Sequence, residues 1–436
     1  MRPKIVLATM GSLGDLHPFI ALGRALRDRG ANVVLACARE YQSKVQAAGL
    51  AFHALRPSFE QVERDLGMDR AELTQRAIEH SGFLFRKLVL PYVRMAYDDM
   101  LEATAGAALV LPSSLAFGAR LAAEKRAIPW IGVVLQPMMF LSAYDPPLIP
   151  QAEALSALLR RLGPKPTRCA LWMLKKAVAG VFRPLAGLRA AIGLPRAVKD
   201  PLFDGQFCAA GAIALYSRLL GEAQADHPQP TSIAGFATFD SEDGLAKGLA
   251  AELTAFLHAG EAPLVFTLGS LIIHSPGSFY RESLGAARAV RRRAVLLVGD
   301  AGWGEFAQLQ SADVFVCSYA PHSLLMPRAA AVIHHGGIGT LAQALRSGRP
   351  QLIVPFFADQ PDNAARAARL GVARIVTPRG YRAASAGREI ARLLDGGAYL
   401  DRAREVGDVL AAEHGAAEAA RIVLDRLERL GGKWHL

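Results

Sequence analysis

The sequence predicts an α/β protein built from two Rossmann-like domains. Its 436 residues suit two domains of roughly 200 residues each. Short apolar runs alternate with helix-like segments in both halves, which is the rhythm of parallel β-sheets. A polar stretch with two prolines, residues 218–232, separates the halves and is predicted to be a linker.

The composition is that of a globular protein, because 52% of the residues are hydrophobic and 20% are charged. The four cysteines are scattered without a CxxC pair, which favours a reducing cytoplasm and argues against disulfides or a zinc site. The apolar run in the opening residues, MRPKIVLATMGS, is too short for a signal peptide. No stretch of about 18 uncharged apolar residues occurs, so no membrane span is predicted. We therefore expect a cytoplasmic protein.

In the N-terminal half, residues 4–9 form the first predicted strand, and the turn GSLGD follows it. Apolar residues then recur at helical spacing from Leu16 to Leu26, with Pro18 near the helix start and Gly30 just past its end. Further strands are predicted at 31–38, 109–114, 129–137 and 213–217. The βαβ order predicts one parallel sheet.

Positive charge is concentrated in residues 158–199 of a chain whose formal net charge is +11. The segment has no acidic residue and ten basic ones: Arg160, Arg161, Lys165, Arg168, Lys175, Lys176, Arg183, Arg189, Arg196 and Lys199. Leucines and Trp172 are interleaved with them, which predicts a basic amphipathic helix that contacts an anionic membrane surface or an amphiphilic acceptor. Membrane contact would make the protein peripheral on the inner face of the membrane. The alternative is a solvated basic face over a core face. No nucleic-acid-binding motif accompanies the charge, so nucleic acid is not an expected partner.

The C-terminal half repeats the strand–helix rhythm. Strands are predicted at 263–270, 291–299, 314–319, 330–335 and 351–356, and 373–377 is a candidate for one more. The tail from about Ala383 is predicted to be helical.

The most informative stretch is 330–343, where a short apolar run breaks into two histidines and three glycines and then resumes at helical spacing. A strand, a glycine-rich turn and a helix N-terminus form an anion site, because the first helical N–H groups point at the ligand and the helix dipole favours negative charge. His335 adds a side-chain donor, whereas His334 is expected to complete the strand or turn. We infer a diphosphate ligand.

Two neighbouring strand ends also carry polar or aromatic residues. Tyr319, Ala320 and His322 follow the apolar run VFVCS, and Asp359 and Gln360 follow the run QLIVPFFA. Open parallel sheets bind ligands at the carboxyl ends of their strands, so these residues are expected to gather around the same ligand.

These motifs resemble the nucleotide-sugar signature of family-1 glycosyltransferases with the GT-B fold. The bacterial signature is HHGG-x-G-(S/T), followed about twenty residues later by a proline, three variable residues and DQ. The chain reads HHGGIGT at 334–340 and PFFADQ at 355–360. Within the family, GSLGDLHPF, HHGGIGT and DQPDN look most like bacterial rhamnosyltransferases of the rhamnolipid type, and also like sterol and antibiotic glycosyltransferases.

The resemblance covers nearly the whole chain and implies two Rossmann-like domains that face each other across a cleft. It implies an acceptor-binding domain at 1–217, the linker at 218–232, a nucleotide-sugar-binding domain at 233–415, and a C-terminal helix at 416–436 that returns to the first domain. The long segments 56–104 and 138–200 would line the acceptor pocket. Their Met and aromatic residues fit plain core packing equally well.

The resemblance also assigns donor-binding roles. Tyr319 aligns with the aromatic residue that stacks on the base, and the Ala320 backbone would read the pyrimidine edge. Asp359 and Gln360 align with the pair that grips the sugar hydroxyls; the alternative for Asp359 is a helix cap. Contacts with the phosphates are expected from Ser270, His335, Gly336, Gly337, Gly339 and Thr340.

One departure from related enzymes bears on the donor. Plant relatives place a glutamate on the ribose hydroxyls where this chain has Gln343, and a neutral amide binds a diol less firmly, which permits dTDP as well as UDP. No DxD sequence occurs, so no metal ion or other cofactor is expected, and the helix N-terminus takes the ion's role. The N-terminal turn also lacks GxGxxG, which argues against a nicotinamide dehydrogenase.

The expected general base is Asp15, at the carboxyl end of the first strand, where plant relatives have a histidine. His17 is the competing candidate, because an unperturbed imidazole has a pKa of about 6.5. The alternative role for Asp15 is a helix N-cap. No partner that would orient Asp15 can be identified, and Ser113 and Ser114 occupy the corresponding region.

We therefore expect an inverting, metal-independent glycosyltransferase. The favoured donor is dTDP-rhamnose or another dTDP-6-deoxyhexose, and the favoured acceptor is a lipophilic molecule with a hydroxyl group, such as a hydroxyacyl lipid. One alternative is glucosyl transfer from UDP-glucose to a sterol, polyketide or phenolic aglycone. The other is a catalytically silent homologue that binds nucleotide sugar and partners another transferase.

Overall fold

The computed structural model describes residues 2–149, 152–197, 199–241 and 248–431. Its contacts divide the chain into two units. Unit 1 comprises Met1–Asp69, Glu79–Phe239 and His414–Leu436, and unit 2 comprises Arg70–Ile78 and Asp240–Glu413.

The strands are β1 (Lys4–Ala8), β2 (Asn32–Cys37), β3 (Ala51–Ala54), β4 (Leu109–Pro112), β5 (Gly132–Val134), β6 (Ala212–Ala214), β7 (Thr231–Ile233), β8 (Leu264–Thr267), β9 (Ala294–Leu297), β10 (Val314–Cys317), β11 (Ala331–His334), β12 (Gln351–Ile353) and β13 (Ala373–Ile375). The helices of the first half are α1 (Leu13–Arg27), α2 (Gln42–Ala47), α3 (Phe59–Leu66), α4 (Arg70–Glu79), α5 (Ser81–Phe83), α6 (Val93–Ala103), α7 (Phe117–Lys125), α8 (Glu153–Leu162), α9 (Pro164–Ala179) and α10 (Arg183–Ala191). Those of the second half are α11 (Ala251–His258), α12 (Phe279–Ala289), α13 (Gly299–Phe306), α14 (His322–Leu325), α15 (Ile338–Arg346), α16 (Gln360–Arg369), α17 (Ala383–Leu394), α18 (Ala398–Ala411) and α19 (Gly415–Arg429). Among the described helices, none combines the length and apolarity that crossing a membrane requires.

The sheet of unit 1 is parallel. Its strands pair in the orders β3-β2-β1-β4 and β5-β6-β7, and bridges from Val110 to Trp130 and from Ser113 to Val133 join the two groups. The strands predicted in this half are confirmed. The apolar residues of β1, β4 and β5 are buried, as in a parallel sheet covered on both faces. β3 and β7 were not predicted. Both are short and partly exposed, so they carry little of the apolar signal that identifies a strand.

The predicted linker, 218–232, includes the first residues of β7. The boundary between the two units in the structure therefore lies further along the chain than predicted. β7 pairs in parallel with β6, and Ala234 N donates to Ala214 O at 2.9 Å. These backbone bonds keep the chain in unit 1 as far as Phe239.

The sheet of unit 2 has the order β10-β9-β8-β11-β12-β13, all parallel. All the strands predicted in this half are present, including the candidate at 373–377. Numbered within the unit, the order is 3-2-1-4-5-6, which reverses between β8 and β11. The loops that leave the carboxyl ends of these two strands border that switch point, where open parallel sheets bind their ligands.

Helix α4 belongs to unit 2 although it lies within the sequence range predicted for the first domain, 1–217. Ile78 packs against the core of unit 2, and Ser275 Oγ donates to Gln75 Oε1 at 2.7 Å. The predicted first domain is therefore interrupted, because tertiary packing overrides position in the sequence.

The last helix, α19, packs on α1 in unit 1. Arg426 donates to the carbonyl oxygens of Ala210 and Ala212 at 3.0 and 3.1 Å and to Ser232 Oγ at 2.8 Å. One buried guanidinium thereby ties the end of the chain to β6 and to β7.

Candidate functional site

The loops at the switch point of unit 2 meet around the imidazole of His335. A Cβ atom on Gly269 would lie 2.5 Å from His335 Cε1, and one on Gly337 would lie 2.3 Å from His335 Nε2. Gly269 also has a positive φ of 65°. Glycine is required at both positions because any side chain would collide with the ring. The loop after β8, which carries Ser270, is thus in contact with the loop after β11.

His335 is neutral at physiological pH. Burial is the main cause that lowers its pKa to about 3, and the proximity of two further imidazoles, His334 and His322, lowers it further. Its ring is buried, and its Nδ1 has no hydrogen-bond partner among the residues that the structure describes. A buried polar atom without a partner is costly, so a ligand that satisfied it would gain free energy.

The amino end of α15 lies directly after this histidine. Gly337 is the N-cap residue without a side-chain cap, and the first helical bond runs from Leu341 N to Gly337 O at 2.9 Å. The N–H groups of Ile338, Gly339 and Thr340 precede that bond and have no partner within the helix. Together with the helix dipole they form a site for an anion. Gln343 lies on the next turn of the same helix and is half-buried.

His334 has a structural role. Gly336 N donates to His334 Nδ1 at 3.1 Å, so the proton of the neutral ring is on Nε2, which donates to Gln351 Oε1 at 3.0 Å. Burial lowers the pKa of His334 to about 4, which keeps the ring neutral. Gly336, with a φ of 85°, turns the chain away from the strand. The two adjacent histidines therefore differ: His334 is bonded within the fold, whereas His335 Nδ1 has no partner among the described residues.

Asn363 connects the two sequence motifs of unit 2. Its Nδ2 donates to Gly336 O at 3.0 Å and to Asp359 Oδ2 at 2.6 Å. The side chain of Asp359 is partly exposed, but desolvation raises its pKa to about 6, while the bond from Asn363 acts in the opposite direction. Asp359 is the N-cap residue of α16 but makes no side-chain cap bond, so the predicted alternative role as a cap is not observed. Asn363 is not among the site residues predicted from the sequence; its spacing of four residues from Asp359 was the available signal.

Gln360 is buried and stabilises its own loop. Its Oε1 accepts hydrogen bonds from the N–H groups of Phe356 and Phe357 at 2.8 and 3.3 Å. Its side-chain oxygen is therefore engaged, and the group with which it would contact a sugar hydroxyl is its NH₂ donor.

Tyr319, just after β10, is oriented by a residue that is not among those predicted from the sequence. Its hydroxyl donates to Asp240 Oδ1 at 3.0 Å, and Asp240 Oδ2 accepts from Ser323 N at 2.5 Å. Ala320 is buried, and its carbonyl oxygen lies 3.1 Å from His322 Nδ1. No local sequence pattern links Asp240 to Tyr319, because 79 residues separate them.

In unit 1, Asp15 lies in the first turn of α1. Ser12 is the N-cap residue, and the two form a capping box in which Ser12 N donates to Asp15 Oδ2 at 2.9 Å. A Cβ atom on Gly11 would lie 2.2 Å from the same oxygen, so the glycine allows the carboxylate to fold back over the turn. Asp15 is thus the N3 residue rather than the predicted alternative, the N-cap, and the capping contact uses Oδ2.

The imidazole ring of His17 contacts a lysine and a phenylalanine. Lys44 Nζ lies 3.3 Å from His17 Nε2, and the ring meets Phe239 edge-on at 5.3 Å. An ammonium group can only donate, so Nε2 accepts this bond and its lone pair is engaged.

Ser113 and Ser114 follow β4 next to β1. Ser113 N donates to Ala8 O at 2.8 Å, and Ser114 O accepts from Arg120 Nη1 at 3.0 Å. Ser113 is buried, and its Oγ has no hydrogen-bond partner among the described residues.

Comparison with known proteins agrees with this architecture. Residues 5–143 match the glycosyltransferase family 28 N-terminal domain, and residues 285–426 match the erythromycin biosynthesis protein CIII-like C-terminal domain. The chain is 32% identical over 434 residues to the O-mycaminosyltylonolide 6-deoxyallosyltransferase of Streptomyces fradiae, covering 96% of each chain. It is 30% identical over 450 residues to the vancomycin aglycone glucosyltransferase of Amycolatopsis orientalis, covering 98% of each.

A solved structure shows the same fold. The spinosyn rhamnosyltransferase SpnG complexed with thymidine diphosphate has a TM-score of 0.64 at 18% identity, over 97% of this chain and 100% of that one. The predicted GT-B fold is confirmed, and so is the predicted glycosyltransferase activity class. The chain therefore belongs to the GT-B glycosyltransferases, in the family that contains macrolide and glycopeptide antibiotic glycosyltransferases.

Proposed function

We propose that the protein is an inverting, metal-independent transferase that moves a 6-deoxyhexosyl group, such as rhamnosyl, from a dTDP-sugar to a hydroxyl of a lipophilic acceptor. The observation that carries the proposal is the junction of Gly269, His335 and Gly337 at the amino end of α15. There a neutral imidazole and a set of helical N–H groups are available to one anion.

This junction suits the leaving diphosphate. Breaking the glycosidic bond transfers negative charge to the phosphate oxygens, and preorganised N–H donors in a poorly hydrated site stabilise that charge most strongly in the transition state. The low pKa of His335 means that it contributes a hydrogen bond rather than a full charge. In this proposal the helix and the histidine supply the stabilisation that a metal ion supplies in other transferases.

Asp15 is the proposed general base. It removes the proton from the acceptor hydroxyl, whose oxygen attacks the anomeric carbon on the face opposite the departing diphosphate, and the anomeric configuration inverts. A carboxylate is a weak base, so its assistance is strongest late in the step, when the hydroxyl has become acidic. The capping box fixes the carboxylate on the first turn of α1.

Gln343 supports dTDP as the nucleotide. A glutamate carboxylate at this position would form charge-assisted hydrogen bonds with the two hydroxyl groups of a ribose, and the neutral amide of a glutamine cannot form them. The name of the 6-deoxyallosyltransferase relative supports a 6-deoxyhexose. The motifs GSLGDLHPF and DQPDN support a rhamnosyltransferase of the rhamnolipid type and hence a hydroxyacyl lipid acceptor. The competing donor is UDP-glucose, with an aglycone acceptor, and the glucosyltransferase relative supports it.

Thermal unfolding with dTDP, UDP, dTDP-rhamnose and UDP-glucose tests the donor. A ligand at about 100 times its Kd stabilises the folded state by about 2.7 kcal/mol. We expect the dTDP pair to raise the unfolding temperature more than the UDP pair, and the reverse order would move the assignment to glucosyl transfer. The His335→Ala variant is the matched control, since the shift should shrink if the ligand occupies this junction. A donor that stabilises the protein but supports no turnover with hydroxyacyl lipids or aglycones would indicate the silent homologue.

A further inference from the structure

The helices α8 and α9 in unit 1 expose large apolar side chains on their outer surfaces. In α8, Leu155, Leu158 and Leu162 are each about half exposed or more, and they recur at helical spacing. In α9, Trp172 is 59% exposed and Met173 is 54% exposed. Water-facing helix surfaces are normally polar, so apolar side chains on the outer as well as the inner faces are unusual for helices on a soluble domain.

The same helices are anchored by their inner faces, so the outer exposure is not a sign of loose packing. Leu171 packs with Leu141 and Ala143, and Lys175 Nζ pairs with Asp204 Oδ1 at 2.7 Å. Thr167 is buried, and its hydroxyl donates to Leu159 O and Gly163 O at 3.0 and 2.8 Å, which fixes the turn between the two helices.

Cations flank the exposed apolar side chains. The Lys176 ammonium lies 5.6 Å from the centre of the Trp172 ring, and Arg168 lies 5.9 Å from that of Tyr144, which is also exposed. Arg161, Lys165, Arg168 and Lys176 are all exposed, and the sequence from 158 to 199 offers them no carboxylate. We call this set of residues the α8–α9 surface: Tyr144, Leu155, Leu158, Arg161, Leu162, Lys165, Arg168, Trp172, Met173 and Lys176.

We propose that the α8–α9 surface docks the protein on the surface of an anionic lipid bilayer. Leucines and a tryptophan enter the boundary between headgroups and acyl chains, while the cations bind lipid phosphates, which is the composition of helices that lie in a membrane interface. A symmetric contact with a second copy would bring like charges together. Small-molecule sites bury most of the ligand in a concavity, whereas these side chains are widely exposed. The surface belongs to unit 1 and shares no residue with the proposed donor site in unit 2, so its test does not depend on the proposed function.

Flotation of the full chain with vesicles tests the proposal. We compare phosphatidylcholine vesicles with vesicles that also contain about 30% phosphatidylglycerol, at about 0.1 M and 0.5 M NaCl. We expect binding to the anionic vesicles at low salt, weaker binding at high salt, and little binding to neutral vesicles. Equal binding to both kinds of vesicle, or to neither, would overturn the proposal.

Two double variants localise the contact. Trp172→Ser with Met173→Ser removes apolar contact, and Arg168→Gln with Lys176→Gln removes charge; each should lower the vesicle partition coefficient by about tenfold. The matched controls are Trp303→Ser, a tryptophan that is 48% exposed on α13 beside Asp300, and Arg281→Gln, a 72% exposed arginine on α12. Both controls should bind as the parent does. Because all these side chains are exposed, unfolding temperatures should stay close to the parent value.

Fluorescence gives a readout specific to one residue. Insertion of the Trp172 indole into the interface should shift the protein's emission to the blue on addition of anionic vesicles, and Trp172→Phe should abolish the shift while retaining flotation. A shift that persists in Trp172→Phe would overturn the assignment. So would a lipid-free dimer, detected by light scattering, that Trp172→Ser with Met173→Ser dissociates, because it would assign the surface to a second copy.

Discussion

The phenolic hydroxyl of Tyr319 donates a hydrogen bond of 3.0 Å to Oδ1 of Asp240, a residue 79 positions earlier in the sequence. Burial acts to raise the pKa of Asp240, but the charge of His322 and the hydrogen bonds from Ser323 and Tyr319 outweigh it and hold the pKa below its usual value. Asp240 is therefore ionised at neutral pH and accepts bonds through both oxygens. It fixes the orientation of the ring that we propose stacks on the nucleotide base.

Replacing Asp240 by alanine should weaken nucleotide binding although Asp240 is not proposed to touch the ligand. Stacking contributes about 0.5–1.5 kcal/mol, so Tyr319→Ala should weaken binding by about two- to tenfold, and Asp240→Ala should approach that loss. Tyr319→Phe keeps the ring and should cost less. Calorimetric titration with dTDP and UDP measures the three variants. Parent-like affinity for Asp240→Ala would show that the ring needs no such support.

Alanine substitutions of the two adjacent histidines should have different effects, one on nucleotide affinity and the other on the free energy of unfolding. His335→Ala removes a donor to the anion and should weaken dTDP binding by about tenfold, with a modest effect on unfolding. His334→Ala leaves Gly336 N and Gln351 Oε1 without their buried partner, which should lower the free energy of unfolding by about 1–3 kcal/mol. Urea denaturation and calorimetric titration measure both quantities, and interchanged effects would reverse the assignment.

Asp15→Asn should retain donor affinity and the fold but lose most of the transfer rate. The amide oxygen still accepts the bond from Ser12 N, whereas the basic carboxylate is gone. General-base assistance is commonly worth about 10²–10⁴-fold, so kcat should fall within that range. Ser12→Ala is the control, because it weakens the cap by about 0.5–2 kcal/mol and leaves the carboxylate in place. Unchanged turnover in Asp15→Asn would remove it as the base.

Recognition of the sugar should weaken as the pH falls through the pKa of Asp359, about 6. Below that pH the carboxyl is protonated and no longer accepts charge-assisted bonds from two hydroxyls. The affinity for dTDP-sugar relative to dTDP should therefore be higher at about pH 7.5 than at about pH 5, and Asp359→Asn should abolish the difference. An affinity ratio that does not change with pH in the parent protein would contradict this role.

The same pKa shift predicts the sign of a stability effect. The folded pKa lies above the ordinary value of 3.8, so folding takes up a proton between these two pKa values, and this carboxyl's contribution to stability falls as the pH rises through that window. Asp359→Asn should therefore raise the unfolding temperature near neutral pH and change it less at about pH 4.5. An equal change at both pH values would show that the carboxyl is not desolvated.

Chelation should leave the transfer rate unchanged. If α15 and His335 stabilise the diphosphate, the reaction with excess EDTA should proceed at the rate measured with added Mg²⁺. A loss of activity that Mg²⁺ restores would contradict the metal-independent mechanism.

The strands were predictable because their signal is local. The runs that became β1, β4, β8 and β11 are continuously apolar, as strands buried on both faces must be. The glycine-rich turn around His335 was equally predictable, since a strand, a glycine-rich turn and a helix follow one another directly in the sequence. By contrast, β7 lay in a polar stretch, and only its pairing with β6 makes it a strand.

The sequence by itself therefore determined the fold class, the family and the motif that we propose binds an anion, because each depends on residues that are neighbours along the chain. Tertiary structure alone decided the contacts of the two histidines, because these involve Gln351 in β12 and Gly269 in the loop after β8. It also decided that Asp240 holds Tyr319 and that α4 packs in unit 2. Contacts between residues distant in sequence leave no periodic signal, so only the folded chain reveals them.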